Sequence, residues 1–117
     1  MISIDSLGTE LEVDTRNRGS ISGDVVRSAH SAGEIGTVRT GMWEVTPGTF
    51  EGHWTSEDWE IFTVIAGRGT FTTDDGEVHQ LVPGALFVMP PDTHGVWDVQ
   101  ETLRKTFVFP IESADRR

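Results

Sequence analysis

Residues 48–69 read GTFEGHWTSEDWEIFTVIAGRG, and this stretch decides how the rest of the chain is interpreted. Its spacing is Gly48-x4-His53-x-Thr55-x4-Glu60-x6-Gly67, and a second set follows as Gly84-x5-Pro90-x-Asp92-Thr93-His94. Turn-forming residues bracket both sets, and the run from Ile61 to Ala66 is β-branched and apolar, as in a buried strand. A closed sheet would bring the two sets together around one cavity. That cavity would hold a metal ion, a small molecule or only packed side chains.

Turn signals recur at short intervals along the chain and predict an all-β domain. Ser31 to Glu34 and Gly67 to Gly69 are expected to be turns between strands. Asp75-Gly76 predicts a two-residue hairpin of type I′, because that turn needs positive φ at both positions. No segment has a convincing helical period, so a barrel or sandwich is expected. The predicted strands are 25–29, 37–45, 61–66, 70–73, 78–82, 85–89, 95–99 and 105–109.

A chain of 117 residues is long enough for one domain with a single core. We expect the barrel to span residues 25–110. Residues 1–24 are polar and rich in Ser, Gly and Asp, and they are predicted to form an edge strand or a dimer arm. Residues 111–117 are predicted to be a C-terminal tail.

The composition excludes several classes of function. The formal net charge is −10, whereas nucleic-acid binding requires a clustered basic surface. No apolar run approaches the length of a membrane span, and no signal peptide is visible, so a cytoplasmic location is expected. The chain has no cysteine, which excludes disulfides, thiolate nucleophiles and cysteine-ligated zinc.

Strand alternation adds a prediction about assembly. If Glu60 faces the interior, Phe62 and Val64 do so too, while Ile61 and Ile65 face outward. Two outward isoleucines on one strand need a cover, which the N-terminal segment or a second subunit would provide. We therefore predict a homodimer that forms through sheet packing.

The motifs resemble those of the cupin superfamily, a group of small jelly-roll barrels. Gly48, His53, Glu60 and Gly67 follow the first cupin motif, and Gly84 and Pro90 follow the second. The flanking sequence segments are similar to those of the cupin branch that includes ureidoglycine aminohydrolase and the ethanolamine-utilisation cupins. The resemblance implies a single-domain cupin jelly-roll β-barrel with little or no helix. The flanking segments that carry the similarity are GMWEVTPG at 41–48, Trp59-Glu60, GVWDV at 95–99 and Arg104-Lys105.

The resemblance also implies a candidate metal site. In metal-binding cupins three histidines and one glutamate converge inside the barrel. Here Thr55 stands at the second histidine position, and His94 lies one residue before the last one. The implied ligands are His53, Glu60 and His94, a nitrogen and oxygen set that would suit Mn, Zn, Fe or Ni.

Glu60 is the central residue of the predicted cavity. A carboxylate that faces a barrel interior must be paired, hydrogen-bonded, metal-bound or protonated. Thr55, Trp97 or a buried water are the expected partners if its role is structural. Glu60 and His94 are also the candidates for a general acid or base. The residues predicted to contact a ligand are Trp43, Thr55, Glu60, His94 and Trp97, although tryptophans at such strand positions more often fill the core.

Three functions stay open from the sequence. The first is a barrel that binds a small polar metabolite without strong catalysis. The second is an enzyme that depends on a divalent metal, and the resemblance to ureidoglycine aminohydrolase implies hydrolysis of a carbon–nitrogen bond. The third is a structural or assembly role for the dimer.

Overall fold

The computed structural model describes residues 3–14, 21–54 and 58–111, without the side chain of His53. This part of the chain contains eight strands and no helix, and therefore no helix that could cross a membrane. The strands are β1 (Glu12–Val13), β2 (Arg27–Ile35), β3 (Val38–Val45), β4 (Gly48–Trp54), β5 (Glu60–Thr73), β6 (Val78–Leu81), β7 (Leu86–Met89) and β8 (Thr93–Pro110).

Two long strands, β5 and β8, build the barrel because each one runs through both of its sheets. The C-terminal half of β8 pairs with β3 and with the start of β5, and the start of β5 also pairs with β7. The N-terminal half of β8 pairs with β4 and with the end of β5, which in turn pairs with β6. All pairs are antiparallel, so the all-β jelly-roll prediction is confirmed.

The bend of β5 replaces a predicted turn. The register of β5 against β8 shifts between Val64 and Gly69, and Gly67 has a φ of 88°. The chain thus passes from one sheet to the other through a bulged bend, without leaving the ladder. The predictions of separate strands at 61–66 and 70–73, and at 95–99 and 105–109, were wrong for the same reason.

Two other turn predictions also need correction. Strand β2 continues through Ser31 to Glu34 with one bulge, and the turn to β3 falls at Gly36. At Asp75-Gly76 the loop has three residues, because Thr73 and Glu77 close it with a backbone hydrogen bond of 2.9 Å. Only Gly76 in that loop has a positive φ, as in a type I turn followed by a bulge and unlike type I′.

The core lies between the inner faces of the two sheets. Along β5, Glu60, Phe62 and Val64 are buried and alternate with half-buried Ile61 and Thr63, as the alternation predicts. Each fully buried aliphatic or aromatic side chain contributes about 1.5–3 kcal/mol of transfer free energy. The main core residues are Val45, Phe50, Phe62, Val64, Phe71, Leu81, Trp97, Val99 and Leu103.

The described part of the N-terminal segment lies against the sheet that contains β2. Strand β1 extends that sheet at its edge by pairing with β2. The guanidinium of Arg104 donates hydrogen bonds to the carbonyl oxygens of Ser6 and Thr9, which fixes the first turn of the segment to β8. The homodimer stays a prediction.

Candidate functional site

A cavity of about 360 Å³ lies between the two sheets. Strands β3, β4, β5 and β8 each contribute side chains to its wall, and exposed Glu51 and half-buried Arg27 lie where it opens to solvent. A ligand pocket is typically about 300–1,000 Å³, so the space suits a small molecule. The residues that determine its chemistry are Trp43, Phe50, Glu60, Trp97 and Lys105.

An ion pair between Glu60 and Lys105 forms the polar part of this cavity. Nζ of Lys105 donates a hydrogen bond of 3.1 Å to Oε2 of Glu60. Both residues are only 6% exposed, and they are the only charged residues among the buried ones that the structure describes. Glu60 is the first residue of β5, and Lys105 lies on β8 between Leu103 and Phe107.

Aromatic rings surround the ammonium group of Lys105. Its Nζ lies 4.1 Å from the ring centroid of Phe62, 4.8 Å from that of Trp43 and 5.3 Å from that of Trp97. A cation within about 6 Å of such ring faces is attracted by their quadrupoles. The positive charge is thus held by one carboxylate and three rings in place of water.

Three of the predicted ligand-contacting residues meet at this cavity. Trp43, Glu60 and Trp97 all line it, and the two tryptophan rings lie 5.7 Å apart. The structure gives Glu60 a hydrogen-bond partner, Lys105, that the sequence analysis did not foresee. Thr55 lies outside the described residues.

His94 does not reach the cavity. It alternates along β8 with buried Gly95 and Trp97, and its imidazole is 43% exposed and 3.0 Å from Oδ1 of Asp92. The prediction of His94 as a metal or ligand contact inside the barrel is therefore at odds with its exposed position. A shift of one residue along a strand moves a side chain to the other face, and the turn does not compensate for it.

The described residues do not form the metal site that the cupin motif implies. Among the described side chains, which do not include that of His53, no three potential histidine or carboxylate ligands converge. Glu60 is instead paired with the ammonium of Lys105, at 3.1 Å from Nζ to Oε2. His53 lies on β4 as the register partner of His94, and its side chain is outside the described part.

Lys105 is the site residue that the sequence analysis missed. The alternation along β8 could have revealed it. Leu103, Lys105 and Phe107 share one face of this strand, and the two neighbours of Lys105 on that face are apolar. Arg104 and Lys105 enter the sequence analysis only as a segment that resembles the family, and the face of the strand that each side chain occupies was not considered there. A lysine placed between two inward apolar residues indicates a buried ammonium.

A second cavity of similar volume lies near β6 and β7 and is mainly apolar. Its charged or titratable lining residues, Glu77 and His79, are exposed and half-buried respectively, and their side chains form a surface pair at 3.3 Å. Phe62, Phe71, Leu81 and Phe87 supply most of its wall. The Glu60–Lys105 cavity is therefore the better candidate for a site with defined chemistry.

A two-sheet antiparallel barrel of this kind is a jelly roll, the architecture that cupins share. More closely, the EutQ-like cupin domain matches residues 32–107, and the chain belongs to this family. The predicted superfamily is thus confirmed. No curated protein sequence matches the chain significantly.

Solved structures share the fold at low sequence identity. A protein of unknown function in the DUF861 family from Pseudomonas syringae has a TM-score of 0.75 and 19% identity over 91% of this chain. The chain spans 46% of the length of that protein. The EutQ protein of Clostridium difficile has a TM-score of 0.61 and 23% identity, with 80% of this chain and 69% of that chain covered. The polyketide cyclase RemF of Streptomyces resistomycificus has a TM-score of 0.73 and 18% identity, with 96% and 80% covered.

Proposed function

We propose that this protein binds a small polar metabolite between its two sheets, with Glu60 and Lys105 as the polar contacts. The observation that carries the proposal is a buried ion pair on the wall of a cavity large enough for a ligand. Two charges taken out of water lose several kcal/mol of hydration each, and an apolar pair of similar volume is often equally stable or more so. An ion pair at this position is therefore better explained by a ligand than by folding alone.

The chemistry of the pair suggests what the ligand carries. A carboxylate accepts hydrogen bonds at both oxygens, and an ammonium donates three. The Nζ–Oε2 bond uses part of this capacity and leaves the rest for a ligand. Because the two charges cancel, the site favours a neutral polar group that has an acceptor for Lys105 and a donor for Glu60.

The aromatic wall suggests the shape of the rest of the ligand. Phe50 and Trp97 are stacked with an interplanar angle of 5° and a centroid distance of 6.0 Å. The ring of Trp43 lies within 6.4 Å of Phe50 and closes the same side. Such rings offer a flat apolar surface, so the ligand would combine one polar end with a compact apolar or planar body.

Thermal stabilisation by a panel of small polar metabolites, followed by calorimetry of each hit, tests the proposal. Binding should weaken in Glu60→Gln and in Lys105→Met, because each change removes one of the two polar contacts. Glu101→Gln is the matched control, since Glu101 forms an exposed pair with Arg68 at 3.3 Å. Hits that bind Glu60→Gln and Lys105→Met as tightly as the wild-type protein would place the ligand elsewhere and overturn the proposal.

A further inference from the structure

Lys105 is the only lysine of this chain. The other basic residues are arginines, and those with described ion pairs lie in the exposed or half-buried pairs Arg39–Glu34, Arg68–Glu101 and Arg104–Glu44. Lysine is almost never fully buried in proteins, yet here the single example is 6% exposed. The one side chain of the protein that ends in a primary amine thus lies at a buried position.

An ion pair alone does not explain this choice. Arginine forms two parallel hydrogen bonds with a carboxylate, stays charged at every physiological pH and is less strongly hydrated than an ammonium. It is accordingly the better residue for a buried structural pair. Lysine differs in that it can lose a proton and become a nucleophile.

A proton acceptor lies directly beside the ammonium of Lys105. Oε2 of Glu60 lies 3.1 Å from Nζ, which is hydrogen-bond distance for direct transfer. Transfer of one proton along this hydrogen bond would leave a neutral amine beside a neutral acid. Lys105 lines the cavity, so a small molecule that enters it would reach the same nitrogen.

We infer that Lys105 forms an imine with small aldehydes or ketones that enter the cavity, with Glu60 as the proton carrier. This inference rests on the proposed function in one respect, namely that the cavity admits small molecules. It adds the chemical class of the ligand, a carbonyl compound, and a covalent step.

The step balances within the pair and the ligand. Glu60 takes a proton from the ammonium, and the lone pair of the free amine forms the N–C bond while the C=O π pair moves to oxygen. Proton transfer from nitrogen to oxygen gives the carbinolamine. Glu60 then returns its proton to the hydroxyl group, the C–O bond breaks, and water leaves as the protonated imine forms.

The ring cage suits the product as well as the resting state. The protonated imine carries one positive charge, as the ammonium did, and Glu60 is again a carboxylate. The charge therefore stays among Phe62, Trp43 and Trp97, whose centroids lie 4.1–5.3 Å from Nζ. Cation–π attraction and the adjacent carboxylate both stabilise the imine relative to one on an exposed lysine.

Reductive trapping tests the inference directly. The full chain is incubated with propanal and sodium cyanoborohydride, and cleavage after glutamate isolates the peptide that contains Lys105 for mass spectrometry. We expect this peptide to gain one reduced propyl group. Lys105→Arg keeps the charge without the nucleophile and should lose the modification at this position.

Arg68→Lys supplies a control for ordinary lysine reactivity within the same protein. Arg68 is 59% exposed and pairs with Glu101, so the introduced amine is also beside a carboxylate but in water. Trapping at position 105 should be roughly tenfold faster or more than at position 68, because only the former is desolvated and caged. An equal or slower rate at position 105 would overturn the inference.

Glu60→Gln separates the proton carrier from the nucleophile. Loss of a general base should slow trapping at Lys105 by about a hundredfold, whereas an unchanged rate in folded protein would exclude Glu60 from the step. The comparison of positions 105 and 68 decides the inference even if this variant does not fold. Metabolite binding without fast trapping would refute the imine and leave the proposed function standing. Fast trapping without metabolite binding would support the imine and refute the proposed function.

Discussion

Lys105 lies beside Val64 in the register of β5 and β8, yet its ammonium bonds to Glu60, four residues earlier along β5. The lysine side chain therefore extends along the inner face of β5 and passes Phe62, whose ring centroid is 4.1 Å from Nζ. This path explains why the stem of the side chain is buried together with its charge. It also means that Phe62, Glu60 and Lys105 form one packed unit.

The first prediction concerns the stability of this unit. Lys105→Met leaves the carboxylate of Glu60 without its cation, and the loss of one partner of a buried pair typically costs about 3–5 kcal/mol. Glu60→Gln should be destabilising by a comparable amount, because it leaves the ammonium of Lys105 without its carboxylate. Urea unfolding followed by tryptophan fluorescence measures both.

The double variant Glu60→Gln with Lys105→Met completes the cycle. It removes both charges at nearly constant volume, so its free energy of unfolding should be higher than that of Lys105→Met alone. The exposed pair Arg68–Glu101 is the reference, where the same kind of cycle should give less than about 1 kcal/mol. Additive losses at Glu60 and Lys105 would mean that the two charges do not interact in solution.

A second prediction separates backbone strain from steric overlap at two glycines. Gly67 and Gly84 have φ values of 88° and 92°. A Cβ at Gly84 would have no neighbour within 4 Å, whereas one at Gly67 would overlap the carbonyl oxygen of Thr102 and lie 2.7 Å from Cα of Leu103. Gly84→Ala should thus lower the free energy of unfolding by about 1–2 kcal/mol, which is the cost of the left-handed backbone conformation alone.

Gly67→Ala should cost at least about 1 kcal/mol more than Gly84→Ala, because the bend of β5 leaves no room for the methyl group. Thermal unfolding of the two variants side by side measures the difference. Equal losses would show that the bend opens easily, and the close contact between β5 and β8 at this point would then not matter for stability.

The sequence predicted the barrel well because its evidence is local. Turn residues and apolar alternation along single strands located β6, β7 and the inner face of Glu60 and Phe62. The bends of β5 and β8 were missed because a bulge and a turn use the same residue, here Gly67, and only the partner strand distinguishes them.

The candidate site was predicted in part for a similar reason. Glu60, Trp43 and Trp97 lie on strands whose phase is readable from neighbouring apolar residues. The outward position of His94 was readable in the same way, because His94 lies three residues from the inward Trp97 on the same strand and therefore on its opposite face. The pairing of Glu60 with Lys105 joins residues on different strands, so single-strand patterns could not show it.

A third prediction concerns metal removal. Since the ammonium of Lys105 already pairs with the carboxylate of Glu60, stabilisation by a bound metabolite should be unchanged after dialysis against EDTA. Thermal unfolding with and without the ligand, before and after dialysis, measures this. A loss of ligand stabilisation that Mn²⁺ or Zn²⁺ restores, and that His53→Ala abolishes, would instead support the metal-dependent alternative.

The last prediction concerns the loop after β5 and its dependence on pH. A hydrogen bond from the Thr73 hydroxyl, and then one from the backbone N–H of Glu77, hold the pKa of Asp75 below its usual value. A carboxyl group whose pKa is lower in the folded state stabilises that state at any pH above its unfolded pKa, and the benefit disappears as the pH falls through the folded value. Thr73→Val should raise the pKa of Asp75 toward its usual value, which carbon-detected NMR titration of the carboxyl group measures.

The stability difference between wild type and Thr73→Val should therefore narrow as the solution is acidified. Thr72→Val is the matched control, since its hydroxyl is on the adjacent residue of the same strand, and a pKa change of Asp75 in that variant would contradict the assigned cause.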